Sequence, residues 1–129
     1  MNGLANITIG GQVVRLKFGL PAVRRIFEKM AEIKLVDVKD GKESYNDVGI
    51  SHILFAGYLN GCMLKDELPV LLFEDFYEFV EDFSADRVNK EEIIAAIRSF
   101  EESRFIRPIS DKIEESLDIE KKRQLSGMT

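Results

Sequence analysis

The sequence predicts an α+β protein: an N-terminal β-hairpin followed by about five helices, mostly helical overall. Three observations carry this. Two short runs rich in β-branched residues flank Gly10-Gly11 near the N-terminus. Several later stretches place apolar residues three and four apart, the period of a helix with one buried face. Turn and breaker residues, among them Pro21, Asp40-Gly41, Pro69 and Pro108, fall between those stretches.

The hairpin is expected over residues 7–18. Ile7-Thr8-Ile9 forms one arm and residues 12–18 the other, because Gly10-Gly11 supplies the positive φ values of a tight two-residue turn. In the second arm Val14, Leu16 and Phe18 alternate with Arg15 and Lys17, so one face is buried and one is wet. A lone hairpin is marginal in water and must pack on helices or pair with another chain.

Gly19 ends the strand, and Pro21 fits the first turn of a helix, where its missing N–H is no loss. Val23, Ile26, Phe27 and Met30 continue at helical spacing to about Ile33 or Lys34. Residues 35–46 read as a loop, with Asp40-Gly41 as a turn and a short strand at 35–38. Asn46 or Asp47 caps the second helix, expected over 48–63. Ile50, Ile53, Leu54, Gly57, Tyr58, Gly61 and Cys62 cover more than one stripe, so this helix is central. Gly57 and Gly61 let another element approach closely, although each lowers helix propensity by ~1 kcal/mol relative to Ala.

Residues 64–69 connect to a third helix over 73–83, with Phe73, Phe76, Val80 and Phe83 buried and Tyr77 and Phe79 at the margins. Glu74, Glu78 and Asp82 recur every fourth residue on another face. Asn89 caps a fourth helix over 90–103, with Glu91 and Glu92 in its first turn and Ile93, Ile94, Ile97 and Phe100 as its stripe. The helical part thus runs over 20–104. A fifth, loosely attached amphipathic helix over 108–125 follows Pro108, and its polar residues change from acidic to basic as the macrodipole favours.

The 129 residues suit one domain, with 45% hydrophobic and 32% charged residues. A net charge of −5 argues against general phosphate-backbone binding. The single cysteine, Cys62, excludes an intramolecular disulfide and fits a reducing compartment. No signal-like segment and no apolar run of ~20 residues is present, so a cytoplasmic protein with no membrane partner is expected.

The residues offer little to a catalyst. His52 and Cys62, the only His and Cys, lie ten positions apart on one helix, which separates them by ~15 Å along its axis. They cannot form a nucleophile–base pair, and one of each cannot build a zinc site. Glu74, Glu78 and Asp82 read as a solvated face, and Gly10-Gly11 lacks the pattern of a phosphate loop. The expectation is no enzyme, no catalytic residue, no cofactor and no metal. Charge is unevenly distributed. Residues 66–92 carry ten acidic side chains against Arg87 and Lys90, a balance of −8, whereas residues 1–39 carry +4 from seven bases and three acids. Balance between packed elements or complementarity between subunits would account for it.

The opening Ile7-Thr8-Ile9-Gly10-Gly11-Gln12-Val13-Val14-Arg15-Leu16-Lys17-Phe18-Gly19 resembles that of the tail assembly chaperones of long-tailed bacteriophages. Residues 20–30 resemble the first helix of that family, and Leu72-Phe73-Glu74-Asp75-Phe76-Tyr77-Glu78-Phe79-Val80-Glu81-Asp82 its acidic, aromatic third helix. The resemblance implies a chaperone or adaptor that binds the tape measure protein, keeps it soluble and recruits tail tube subunits. It implies the bacterial host cytoplasm and absence from the mature virion; a homo-oligomer with no nucleic-acid partner is expected. Ile106, Ile109, Ile113 and Leu117 are the candidate partner-binding stripe, with the hairpin edge as a second candidate. The rivals are another helix-binding interaction module, a minor structural tail protein and, last, a small enzyme around His52 and Tyr58.

Overall fold

The computed structural model describes residues 3–83 and 87–102. They form a small α+β arrangement with four helices in the order β1 (Leu4–Ile9), β2 (Gln12–Lys17), α1 (Leu20–Glu32), β3 (Val36–Lys39), β4 (Lys42–Tyr45), α2 (Asp47–Leu64), α3 (Phe73–Phe83) and α4 (Arg87–Glu102). The fifth helix expected over 108–125 lies outside the described residues.

β1 and β2 pair antiparallel, with Ile9 opposite Gln12 and Leu4 opposite Lys17. Gly10 and Gly11 form the turn at φ +58° and +78°, as the dipeptide requires. The first arm begins three residues earlier than expected, at Leu4. Its N-terminal half adds Ala5 opposite Leu16, and Phe18 N–H donates to Gly3 O at 2.7 Å, which extends the ladder past the strand end. Ile7, Val14, Leu16 and Phe18 face inward and are buried, while Leu4, Asn6, Val13 and Arg15 face outward.

α2 is the central element. Both ends of its burial pattern follow from composition: nine of its residues, including Ile53, Leu54, Ala56 and Tyr58, are buried. Asn46 caps it, its Oδ1 accepting from Gly49 N–H at 2.8 Å. α1 packs on one flank, α3 and α4 on others, and β2 crosses it. Close crossing depends on missing side chains. A Cβ at Gly57 would lie 2.8 Å from the Phe18 ring, and one at Gly49 would lie 2.1 Å from the Leu35 carbonyl oxygen.

α1 has no capping side chain of its own at Gly19. Asn60, buried in α2, supplies the cap from outside: its Oδ1 accepts from Gly19 N–H at 2.8 Å and from Ala22 N–H at 3.3 Å. Two orphan donors of a helix N-terminus are thereby satisfied in the core. Val23 and Ile26 are buried, whereas Phe27 and Met30, expected in the same stripe, are more than a third exposed.

The segment read as a loop with one strand is instead a second hairpin. β3 pairs with β4, Lys39 opposite Lys42, across Asp40-Gly41 with φ +54° and +74°. Alternation failed to announce it because the hairpin buries little: apart from Val36 and Tyr45 its strand residues are exposed. Leu35 at its base is buried and accepts from Asn46 N–H at 3.0 Å, which ties the hairpin to the start of α2.

α3 has the expected bounds, but Phe79 is buried rather than marginal, while Phe73 is half-buried. The apolar face is rotated toward Phe76, Phe79 and Val80 because α3 meets both α2 and α4. α4 begins at Arg87, so Asn89 lies within the helix rather than at its cap. Ile93, Ala96 and Phe100 are its buried line, and Ile94 is exposed.

A groove between the hairpin and the α2–α3 connection

Among the described residues, an extended concave surface follows from how α2 ends. Asp66 adopts a left-handed conformation at φ +53°. Its N–H donates to Met63 O at 3.2 Å and Glu67 N–H donates to Cys62 O at 2.9 Å, the paired bonds of a Schellman turn. Asp does here what Gly usually does, since a short polar side chain tolerates this region. The chain then runs without regular secondary structure to α3.

That stretch, 67–72, is held at its backbone. The Tyr58 hydroxyl accepts from Val70 N–H at 2.7 Å and from Leu71 N–H at 3.0 Å. Asp75 Oδ2 accepts from Leu72 N–H at 2.7 Å, and Leu72 O accepts in return from Asp75 N–H at 3.0 Å. Leu71 packs inward against the core. Its neighbours stand out into solvent: Leu68 is 88% exposed, Val70 83% and Leu72 64%.

The opposite wall is the outward face of the β1–β2 hairpin. Val13, 67% exposed, and Leu4 stand there beside Arg15. Gly61 lets α2 approach the β2 edge, since a Cβ at that position would lie 3.1 Å from Arg15 O. Between the walls is an open groove of about 1110 Å³, whose floor includes Tyr58 and Cys62. Its ionisable lining is Arg15, Lys17 and Lys65 against Glu67, a positive balance on a chain of net charge −5. Scattered exposed apolar residues are ordinary, but a contiguous set in a concave surface marks a contact site.

A second hollow of about 510 Å³ lies between α4 and the start of α2, lined by Ile50, Ile93, Ile94 and Ile97. A third, of about 680 Å³, opens at the Gly10-Gly11 turn beside Asp75, Glu78, Asp82 and Glu92, and Thr8 Oγ1 donates to Glu92 Oε2 there at 2.9 Å.

The predicted partner-binding residues Ile106, Ile109, Ile113 and Leu117 lie outside the described residues. The hairpin edges, the second candidate, are covered at two points. α2 abuts β2 at Arg15 O, and Ser99 Oγ of α4 donates to Leu4 O at 3.1 Å. His52 is half-buried and stacks on Phe73 with ring centroids 4.3 Å apart. Burial first, then the charges of Lys29 and Arg25, push its pKa below the usual imidazole value, while Glu32 opposes the shift. Cys62 is a buried free thiol. Among the described residues no group of three or more His, Cys, Asp or Glu side chains is placed to hold a metal ion. No described helix is long and apolar enough to cross a membrane.

Leu68, Val70 and Leu72 were missed by helical-period reading of the chain. Their signal was a run of apolar residues around Pro69 inside a connection, which a search at helical spacing passes over. Comparison with protein-family models, curated proteins and solved structures returned no match.

Proposed function

We propose that this chain is a non-catalytic protein-binding module that acts as an assembly chaperone or adaptor. The observation that carries the reading is the apolar display of the connection. Leu68, Val70 and Leu72 are held outward by backbone bonds to Tyr58 and Asp75 rather than left to fold inward. Exposed leucines and valines cost solubility, and a fold that fixes them there gains only if a partner covers them. Each such side chain is worth ~1.5–3 kcal/mol when fully buried, so three suffice to dominate a modest interface.

Within the resemblance drawn from the N-terminal strand, turn, strand and helix, the client is a phage tape measure protein and the assembly is the tail. A long apolar helical client needs its hydrophobic stripe covered until it polymerises, which is what an apolar groove on an acidic body provides. Tail tube subunits and further copies of the chain are the other partners of this reading.

The test is co-expression of the full chain with the tape measure protein of its own tail gene cluster. The client should stay soluble and co-purify with wild type, and precipitate with the Leu68→Asp, Val70→Asp double variant. Equal client solubility with and without the chain refutes the proposal.

A further inference from the structure

We infer that the groove between the β1–β2 hairpin and the 65–72 connection receives an amphipathic helix whose apolar stripe is flanked by carboxylates. The inference rests on the protein-binding reading above and specifies the ligand of that surface.

The first argument concerns backbone. An extended ligand binds by strand addition, which requires unpaired N–H and C=O groups along a wall. Neither wall offers a continuous row of free donors. On one side the N–H groups of Lys65, Asp66, Glu67, Val70, Leu71 and Leu72 are engaged within the chain. On the other, α2 at Gly61 stands against the β2 edge at Arg15 O. Such walls suit a ligand that satisfies its own backbone, as a helix does internally. What the walls do offer is side chains: Leu4, Val13, Leu68 and Val70.

The second argument concerns charge. Arg15 and Lys65 stand at the groove against the single carboxylate of Glu67, on a molecule whose α3 carries Glu74, Asp75, Glu78, Glu81 and Asp82 with no base. A helix with basic flanks would be drawn to α3, and one with acidic flanks to the groove. Tyr58 is the positioning residue, because its hydroxyl sets where Val70 and Leu71 lie.

The experiment titrates the full chain with two labelled helical peptides that share a leucine stripe and differ only in flanks, Glu in one and Lys in the other, read by fluorescence anisotropy. At low salt the Glu peptide should bind at least ~10-fold more tightly, and the gap should close near ~0.5 M salt as the charges are screened. Leu68→Asp with Val70→Asp should abolish binding of both peptides. Arg15→Glu with Lys65→Glu should reverse the preference, and circular dichroism checks that both double variants are folded.

Equal or reversed preference in wild type, with binding still lost in Leu68→Asp with Val70→Asp, overturns the inference and leaves the protein-binding reading standing. Binding indifferent to Leu68 and Val70 overturns the assignment of the groove. If neither peptide binds and wild type self-associates through Leu68 and Val70, a second copy is the occupant and the inference falls. If Ile109→Asp with Ile113→Asp is needed before any peptide enters, the chain's own C-terminal segment is the occupant, which also overturns it. No peptide binding and no self-association removes the inference and the protein-binding reading of this surface together.

Discussion

Replacing Tyr58 by Phe removes one oxygen and leaves a ring of nearly the same shape. The ring sits 5.3 Å from Phe76 and 6.5 Å from Phe55, centroid to centroid, and those contacts survive. The loss is the acceptor shared by Val70 N–H at 2.7 Å and Leu71 N–H at 3.0 Å. The two donors fare differently. Val70 is 83% exposed, so water can replace the hydroxyl there, and the deficit falls at the low end of ~0.5–1.5 kcal/mol. Leu71 packs on the core, and a donor left unsatisfied beside it costs ~1–3 kcal/mol. The expected total is ~1–3 kcal/mol, with partial relief by local movement of the connection. Urea unfolding should show a lower midpoint at unchanged slope. Native-state hydrogen exchange should accelerate at Val70, Leu71 and Leu72 well beyond any change in α1. A loss below ~0.5 kcal/mol with unaltered exchange at those amides would refute the hydroxyl's role, and uniform acceleration across the chain would show that it stabilises the core as a whole.

Three further outcomes follow from the packing. Gly49→Ala places a Cβ 2.1 Å from the Leu35 carbonyl oxygen, so the ~1 kcal/mol gain in helix propensity is overwhelmed; thermal melting should show a net loss of at least ~2 kcal/mol. Asn60→Ala removes the cap from Gly19 and Ala22 and opens a small buried space, a loss of ~2–4 kcal/mol in urea titration, with faster exchange at the first turn of α1. His52 has a folded pKa below the usual 6.5, so the unfolded chain takes up a proton first as pH falls. Its contribution is fully present above that value and is lost as pH drops through the folded value. Urea midpoints measured across this window should fall more steeply in wild type than in His52→Gln, and parallel curves would remove His52 from the pH response.

The fold class, both strands of the first hairpin, the positions of α1 to α3 and a cap at Asn46 or Asp47 were legible in the sequence. Each depends on interactions within a few residues: paired glycines at a two-residue turn, a proline in a first helical turn, apolar spacing of two or of three and four. The central place of α2 was legible too, because apolar residues around its whole circumference require neighbours on several sides.

Tertiary structure decided the rest. The β3–β4 hairpin buries almost no side chain, so only its first strand and its turn were legible, and its attachment through Leu35 and Asn46 fixes the rest. Asn60 reads as a polar residue inside an apolar helix, yet it caps a helix 38 residues away in sequence, which no local pattern encodes. The groove arises in the same way. Leu68, Val70 and Leu72 face water because Tyr58, on a different element, accepts the backbone donors beside them. Local periodicity tells which face of an element is apolar; whether that face is covered is settled only when distant hydrogen-bonding groups fix where each element comes to rest.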